Sequence, residues 1–152
     1  MIDRRIITSL ALSAAALVGL VTSEGYSDKA IIPIKGDVPT LGFGSTENVK
    51  LGDTTTPPKA LARALQDIQK FEGVIKKCVV VPLHQYEYDA YVNLAYNIGT
   101  GAFCGSTLVK KLNATDYLGA CKEIPRWDRA NGVKIKGLTV RRQAEYQQCL
   151  GN

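Results

Sequence analysis

Residues Ile6 to Ser23 run for 18 positions without a charge, directly after the basic pair Arg4-Arg5. No other stretch constrains the chain so strongly. A helix needs roughly 20 mostly apolar residues to cross a bilayer. The apolar region of a cleaved signal peptide is shorter, about 7–15 residues. The run therefore reads as a membrane-targeting helix. Arg4 and Arg5 keep its start cytoplasmic, which puts the rest of the chain on the far side. Its apolar character is weak, because Ala11, Ala14, Ala15, Ala16, Gly19, Thr8, Ser9, Ser13 and Thr22 dilute it. Leu or Ile contributes only about −0.5 kcal/mol to insertion, and the small residues contribute nothing or oppose it. Three readings compete: a signal peptide cleaved after Val21-Thr22-Ser23, a permanent anchor, or an anchor that later leaves the bilayer. The weak net drive to stay inserted favours the last.

The remainder has the length of one domain. Of the 152 residues, 45% are hydrophobic, enough for a core and too many for a disordered chain. The formal net charge is +5, which draws a protein towards polyanions such as nucleic acid, anionic lipid or the bacterial wall. The basic residues are scattered, and no run exceeds a pair, so a nucleic-acid-binding stripe is not expected. Four cysteines, Cys78, Cys104, Cys121 and Cys149, include no C-x-x-C pair, and His84 is the single histidine. That excludes the usual zinc frameworks, and neither a metal nor an organic cofactor is expected. In an exported protein an even count suggests two disulfides. Three connectivities are possible, and the spacing chooses none of them.

Residues 24–56 read as a small strand-and-turn lobe. Ile31, Ile32 and Ile34 are β-formers broken by Pro33, Gly36-Asp37 is a turn, and Thr40 to Gly44 alternates like a strand. Pro57-Pro58 sits where a helix starts. From residue 59 to about Lys77, Leu61, Ala64, Leu65, Ile68, Phe71 and Ile75 form one apolar helical stripe. A second helix covers roughly His84 to Ile98, with Tyr88, Tyr91, Val92 and Ala95 inward and Gly99 as its stop. Ser106 caps a short helix through Leu112. Thr115 or Asp116 starts another through about Glu123. Thr139 is the expected N-cap of a last helix ending near Leu150. The class is α+β: a small β-hairpin lobe and a mainly helical lobe, preceded by the N-terminal helix.

Chemistry concentrates in Glu24-Gly25-Tyr26 and in Lys35 to Gly44. Cutting a glycosidic bond typically takes two carboxyl groups, one donating a proton and one acting on the opposite face of the sugar. Glu24 and Asp37 supply such a pair, and the Thr40 hydroxyl is placed to position water. Taken singly, each residue has an ordinary reading. Glu24 is then a solvated helix end, Asp37 a turn residue and Thr40 a strand surface residue. Likewise a lone Trp127 is more often core than a substrate platform, and Arg141-Arg142 fit a solvated helix start.

Several motifs in one order carry more weight. Glu24-Gly25, Thr40-Leu41-Gly42-Phe43-Gly44, Asn93-Leu94-Ala95-Tyr96-Asn97-Ile98-Gly99, Gly101-Ala102-Phe103, Ser106-Thr107-Leu108, Arg126-Trp127, Lys136-Gly137-Leu138 and Arg141-Arg142 follow one another. This series resembles the phage-type lysozymes of glycoside hydrolase family 24 along nearly all of residues 24–150. The N-terminus resembles that of the signal-arrest-release endolysins, a subgroup with a releasable anchor. The resemblance implies a lysozyme-like fold, with a signal-arrest-release segment at 1–23 and a muramidase domain at 24–152. It implies hydrolysis, with inversion, of the β-1,4 bond between N-acetylmuramic acid and N-acetylglucosamine in peptidoglycan. Glu24, Asp37 and Thr40 would carry the reaction. It also implies the pairs Cys78–Cys104 and Cys121–Cys149, and a monomer that is first held at the inner membrane through residues 6–23 and then soluble in the periplasm.

The chain departs from the family at one point. The family pattern is Glu, eight residues, Asp or Cys, five residues, Thr. Counting from Glu24 puts Pro33 and Pro39 at the last two positions, and counting back from Thr40 puts Ile34 at the carboxylate. Past those positions Asp37, three residues before Thr40, is the nearest acid, while Asp28 lies on the other side close to Glu24; Asp37 is taken as the second carboxylate. Two other activities remain open. A lytic transglycosylase would need a single acid and would release an anhydro-sugar, lighter by one water. A non-catalytic wall-binding protein would bind without clearing cells.

Overall fold

The computed structural model of the chain describes residues 3–152. The chain divides into two compact units, one of residues 14–70 and one that combines residues 3–13 with 71–152.

The first unit begins with helix α1, Ala14–Glu24. Gly25, at φ 72°, ends it, since a left-handed residue after the last turn suits glycine. Strands β1, Ser27–Ile31, and β2, Thr40–Gly42, pair antiparallel with Ser27 opposite Gly42 and Ile31 opposite Thr40. β1 uses more residues than β2 over that interval, which is a bulge. The expected strand over Ile31 to Ile34 is displaced. β1 ends at Ile31, and Ile32 and Ile34 are exposed loop residues. Two causes are visible. Pro33 has no N–H to give a ladder. The polar stretch before it is captured from its other side: Ala30 donates to the Asp53 carbonyl and Thr55 to that of Asp28, both at 2.9 Å. Helix α2, Pro57–Cys78, follows at the expected proline pair. Its residues through Lys70 belong to this unit and those from Phe71 to the other.

The second unit is built on α3, Gln85–Ile98, whose Tyr88, Tyr91, Val92, Leu94 and Ala95 are wholly buried. Helices α4, Thr100–Cys104, α5, Thr107–Asn113, and α6, Tyr117–Glu123, follow, with Ser106 and Asp116 as N-caps as expected. A hairpin of β3, Arg129–Ala130, and β4, Val133–Lys134, precedes α7, Lys136–Cys149, which packs on α3. α7 starts three residues before the expected cap. Thr139 already donates its backbone N–H to Ile135, and its hydroxyl reaches Asp128 at 3.1 Å. Disulfides join Cys78 to Cys104 and Cys121 to Cys149, the pairing that the resemblance implied.

The uncharged run is not one helix. Ile7–Ser9 makes a single 3-10 turn, Leu10 is extended, and only Ala14–Glu24 is α-helical. Among the described residues, no helix is long and apolar enough to cross a membrane. Polar side chains explain the break. The Ser9 hydroxyl donates to the Ile6 carbonyl at 2.8 Å, and the Ser13 N–H and hydroxyl both donate to Asp89, at 3.0 and 2.7 Å.

Candidate active site

The site is organised by the turn of the Thr40–Gly44 motif. Leu41 and Ser45 exchange two backbone hydrogen bonds, 2.9 and 3.1 Å, closing a loop over residues 42–44. The Ser45 hydroxyl donates to Asp67 at 2.6 Å and ties the turn to α2. The two glycines have separate reasons. Gly42 has φ 64°, and a Cβ there would lie 2.7 Å from that of Ala60, so only glycine fits against α2. Gly44 has φ 88°, and a Cβ there would lie 3.2 Å from Glu24 Oε2 and 3.6 Å from Glu24 Cβ. The bare glycine backbone lets the Glu24 carboxyl group lie close against it.

Glu24 is the last residue of α1, and its Oε1 is shut off from solvent. Beside it Tyr26 meets Phe43, ring centroids 5.2 Å apart, fastening the segment after the acid to the same turn. Thr40 opens β2, half-buried, with its hydroxyl donating to the Val38 carbonyl at 3.3 Å. Asp37 lies in the exposed loop between the strands. Its N–H donates to Ile34 at 2.9 Å, and its Oδ1 accepts the Val38 N–H at 3.1 Å. The structure thus brings Glu24 against the glycine turn that Thr40 leads into, with Asp37 in the loop before it. A carboxyl group with one oxygen withdrawn from water beside an open backbone turn suits proton donation to a bound substrate.

Three residues of the other unit differ from their expected settings. Trp127 is half-buried rather than core, and it lines a cavity of about 360 Å³ with Ser106, Leu108, Glu123 and Arg126. Arg142 is fully buried rather than solvated. It donates to Asn97 at 2.8 Å and pairs with Glu145 at 2.7 Å. Arg141 donates to Asn93 at 2.9 Å. The Asn93 and Asn97 of one motif are therefore the partners of the Arg pair of another. The hairpin beside Trp127 was not anticipated, although Asn131-Gly132 is the residue pair that two-residue hairpin turns favour. Their φ angles are 50° and 77°.

The family model for phage lysozyme matches residues 21–145. The endolysin of Acyrthosiphon pisum secondary endosymbiont phage 1 is 44% identical over 110 residues, covering 70% of this chain and 75% of that one. The SAR-endolysin of Pseudomonas phage phiKMV is 38% identical over 141 residues, 90% of this chain and 87% of the relative. Among solved structures, the endolysin from Escherichia coli O157:H7 phage FAHEc1 superposes with a TM-score of 0.82 at 31% identity, covering 93% of this chain and 94% of that one. The chain belongs to the phage lysozyme family. It is a muramidase-type glycoside hydrolase, an endolysin that hydrolyses peptidoglycan in host lysis.

Proposed function

We propose that Glu24 is the general acid of this endolysin and that Asp37 and Thr40 serve the attacking water. The observation that carries the reading is the close approach of the Glu24 carboxyl group to the bare backbone of Gly44. Glu24 donates its proton to the oxygen leaving the β-1,4 bond between N-acetylmuramic acid and N-acetylglucosamine. Asp37 takes up the proton of a water that the Thr40 hydroxyl orients, and that water attacks the anomeric carbon from the opposite face, inverting it. The loop position of Asp37 leaves its carboxylate accessible from solvent, as the activation of water requires.

The test is loss of turbidity of outer-membrane-permeabilised cells, with product mass read in parallel. Glu24→Gln is expected to lose about 10²- to 10⁴-fold in rate. Wild-type-like clearing by that variant would overturn the assignment. Near-normal clearing by Asp37→Ala would move the second carboxylate elsewhere, and an anhydro-sugar product would make the enzyme a transglycosylase.

The same proposal includes residues 6–23 as a releasable inner-membrane anchor that faces the active domain to the periplasm, where the released chain acts as a monomer. It is supported by the 18-residue uncharged run behind Arg4-Arg5 and by the SAR-endolysin description of the phiKMV relative. Fractionation before and after collapse of the membrane potential tests it. Full-length protein moving to the soluble fraction is expected, and a shortened product would mean a cleaved signal peptide instead.

A further inference from the structure

The turn from Leu41 to Ser45 holds two glycines, Gly42 and Gly44, both at positive φ. Glycine reaches many φ/ψ values at low cost, so such a turn has little stiffness of its own. Its support comes from α2. Ala60, Arg63, Asp67 and Lys70 follow at spacings of three, four and three, which puts them on one helix face. Ala60 lies against Gly42, where an added Cβ would come within 2.7 Å of it. Asp67 Oδ2 accepts the Ser45 hydroxyl at 2.6 Å. Just past the turn, Arg63 donates to the Glu47 carbonyl and Lys70 pairs with the Glu47 carboxylate.

These ties differ in weight. Lys70 and Glu47 are 62% and 59% exposed, so water screens that pair and it adds little. Ser45 is 2% exposed, and its hydroxyl must find a partner inside the protein. Asp67 is that partner, and a hydroxyl on a carboxylate makes one of the shorter and stronger hydrogen bonds. Ser45 then passes the constraint on. It exchanges both backbone bonds with Leu41, which closes the loop over residues 42–44. It is also the next residue after Gly44, whose bare backbone meets the Glu24 carboxyl group.

We infer that Asp67 is a positioning residue for the reaction: through the Ser45 hydroxyl it holds Gly44 where the Glu24 carboxyl group rests against it. The inference rests on the reading of Glu24 as the general acid. Catalytic groups must be held to within about half an ångström, so a turn released from α2 costs rate before it costs binding. Asp67 works here as an acceptor, a role that the carbonyl oxygen of an asparagine also fills.

Steady-state hydrolysis of purified peptidoglycan by the full-length protein tests this, with Glu24→Gln run beside the other variants. Asp67→Ala and Ser45→Ala should each lower kcat by about ten- to a hundredfold, with KM changed by less than about twofold. The double variant should be no slower than the slower single one, because both changes remove the same bond. Asp67→Asn should restore kcat to within about threefold of the wild type. Urea midpoints and circular dichroism establish that each variant is folded at the assay temperature. Should Asp67→Ala fail to fold, Ser45→Ala, which removes a single oxygen atom, decides the point. A lower urea midpoint with a wild-type kcat would make the pair merely stabilising and overturn the inference. Equal losses in Asp67→Asn and Asp67→Ala would overturn it too, since charge and not the hydrogen bond would then matter. A slow Glu24→Gln beside a fast Asp67→Ala and Ser45→Ala overturns this inference alone. A wild-type rate for Glu24→Gln overturns the acid reading, and this inference with it.

Discussion

Gly44 and Glu24 together make the smallest unit of the proposed site. The glycine has a left-handed φ, and a Cβ there would press on the acid's carboxyl group, 3.2 Å from Oε2. Gly44→Ala should therefore act twice, by backbone strain of about 1–3 kcal/mol and by displacement of the acid. The expected outcome is a fall in kcat of more than tenfold, with secondary structure unchanged by circular dichroism. Arg142 is the opposite kind of residue, fully buried and bonded to Asn97 and Glu145. Removing one partner of such a pair leaves an uncompensated buried charge. Arg142→Met should cost about 3–5 kcal/mol in urea unfolding.

At the scale of the element, α3 explains most of the helical unit. Its Tyr88 and Tyr91 are fully buried. Burial, above all, holds both phenols above the ordinary tyrosine value of 10.0; for Tyr88 the hydrogen bond to Glu72 and the charges of Glu72 and Asp89 add to it. In the unfolded chain these phenols ionise near 10.0, while in the fold they keep their protons. Above that pH the unfolded state binds fewer protons than the folded one, so its free energy falls relative to the fold. Stability is thus unaffected by these two groups below pH 10 and declines as the pH rises beyond it, by about 1.4 kcal/mol per pH unit for each tyrosine. Denaturant midpoints measured across the alkaline range check the sign. Ultraviolet titration should show these two phenolates forming only as the chain unfolds.

At the scale of the whole molecule, the two disulfides close chain separations of 26 and 28 residues, both within the helical unit. Cross-links of that span restrict the unfolded chain by about 3–4 kcal/mol. The pair of substitutions Cys121→Ser and Cys149→Ser should lower unfolding stability by about that amount, read from denaturant midpoints at neutral pH. Tyr91 lies against both of those sulfurs, its hydroxyl 3.7 Å from Cys121 Sγ and 3.3 Å from Cys149 Sγ. Its packing should loosen in the variant, visible in near-ultraviolet circular dichroism.

Local chemistry along the chain was enough to mark α2, α3, α5 and α6 and most of their ends. The apolar stripe of α2, the Gly99 stop of α3, and the caps Ser106 and Asp116 depend on neighbours within a few positions. The candidate site motif, Glu24-Gly25 and Thr40 to Gly44, is likewise a short local pattern. The disulfide pairs required the family resemblance, because spacing alone leaves three connectivities. What the sequence could not decide depended on partners far along the chain. Ile6 to Ser23 has the composition of one helix, yet Glu72 and Asp89, 60 and 76 positions away, take the Leu12 and Ser13 N–H groups and keep its first part out of the α-helix. Ser27 to Ala30 has little strand propensity, yet β2 and residues 53–55 capture its backbone from both sides. Arg142 looks like a surface residue until Asn97 and Glu145 surround it. In each case a hydrogen-bond partner brought close by the tertiary fold outweighs a local propensity worth at most about 1 kcal/mol per residue.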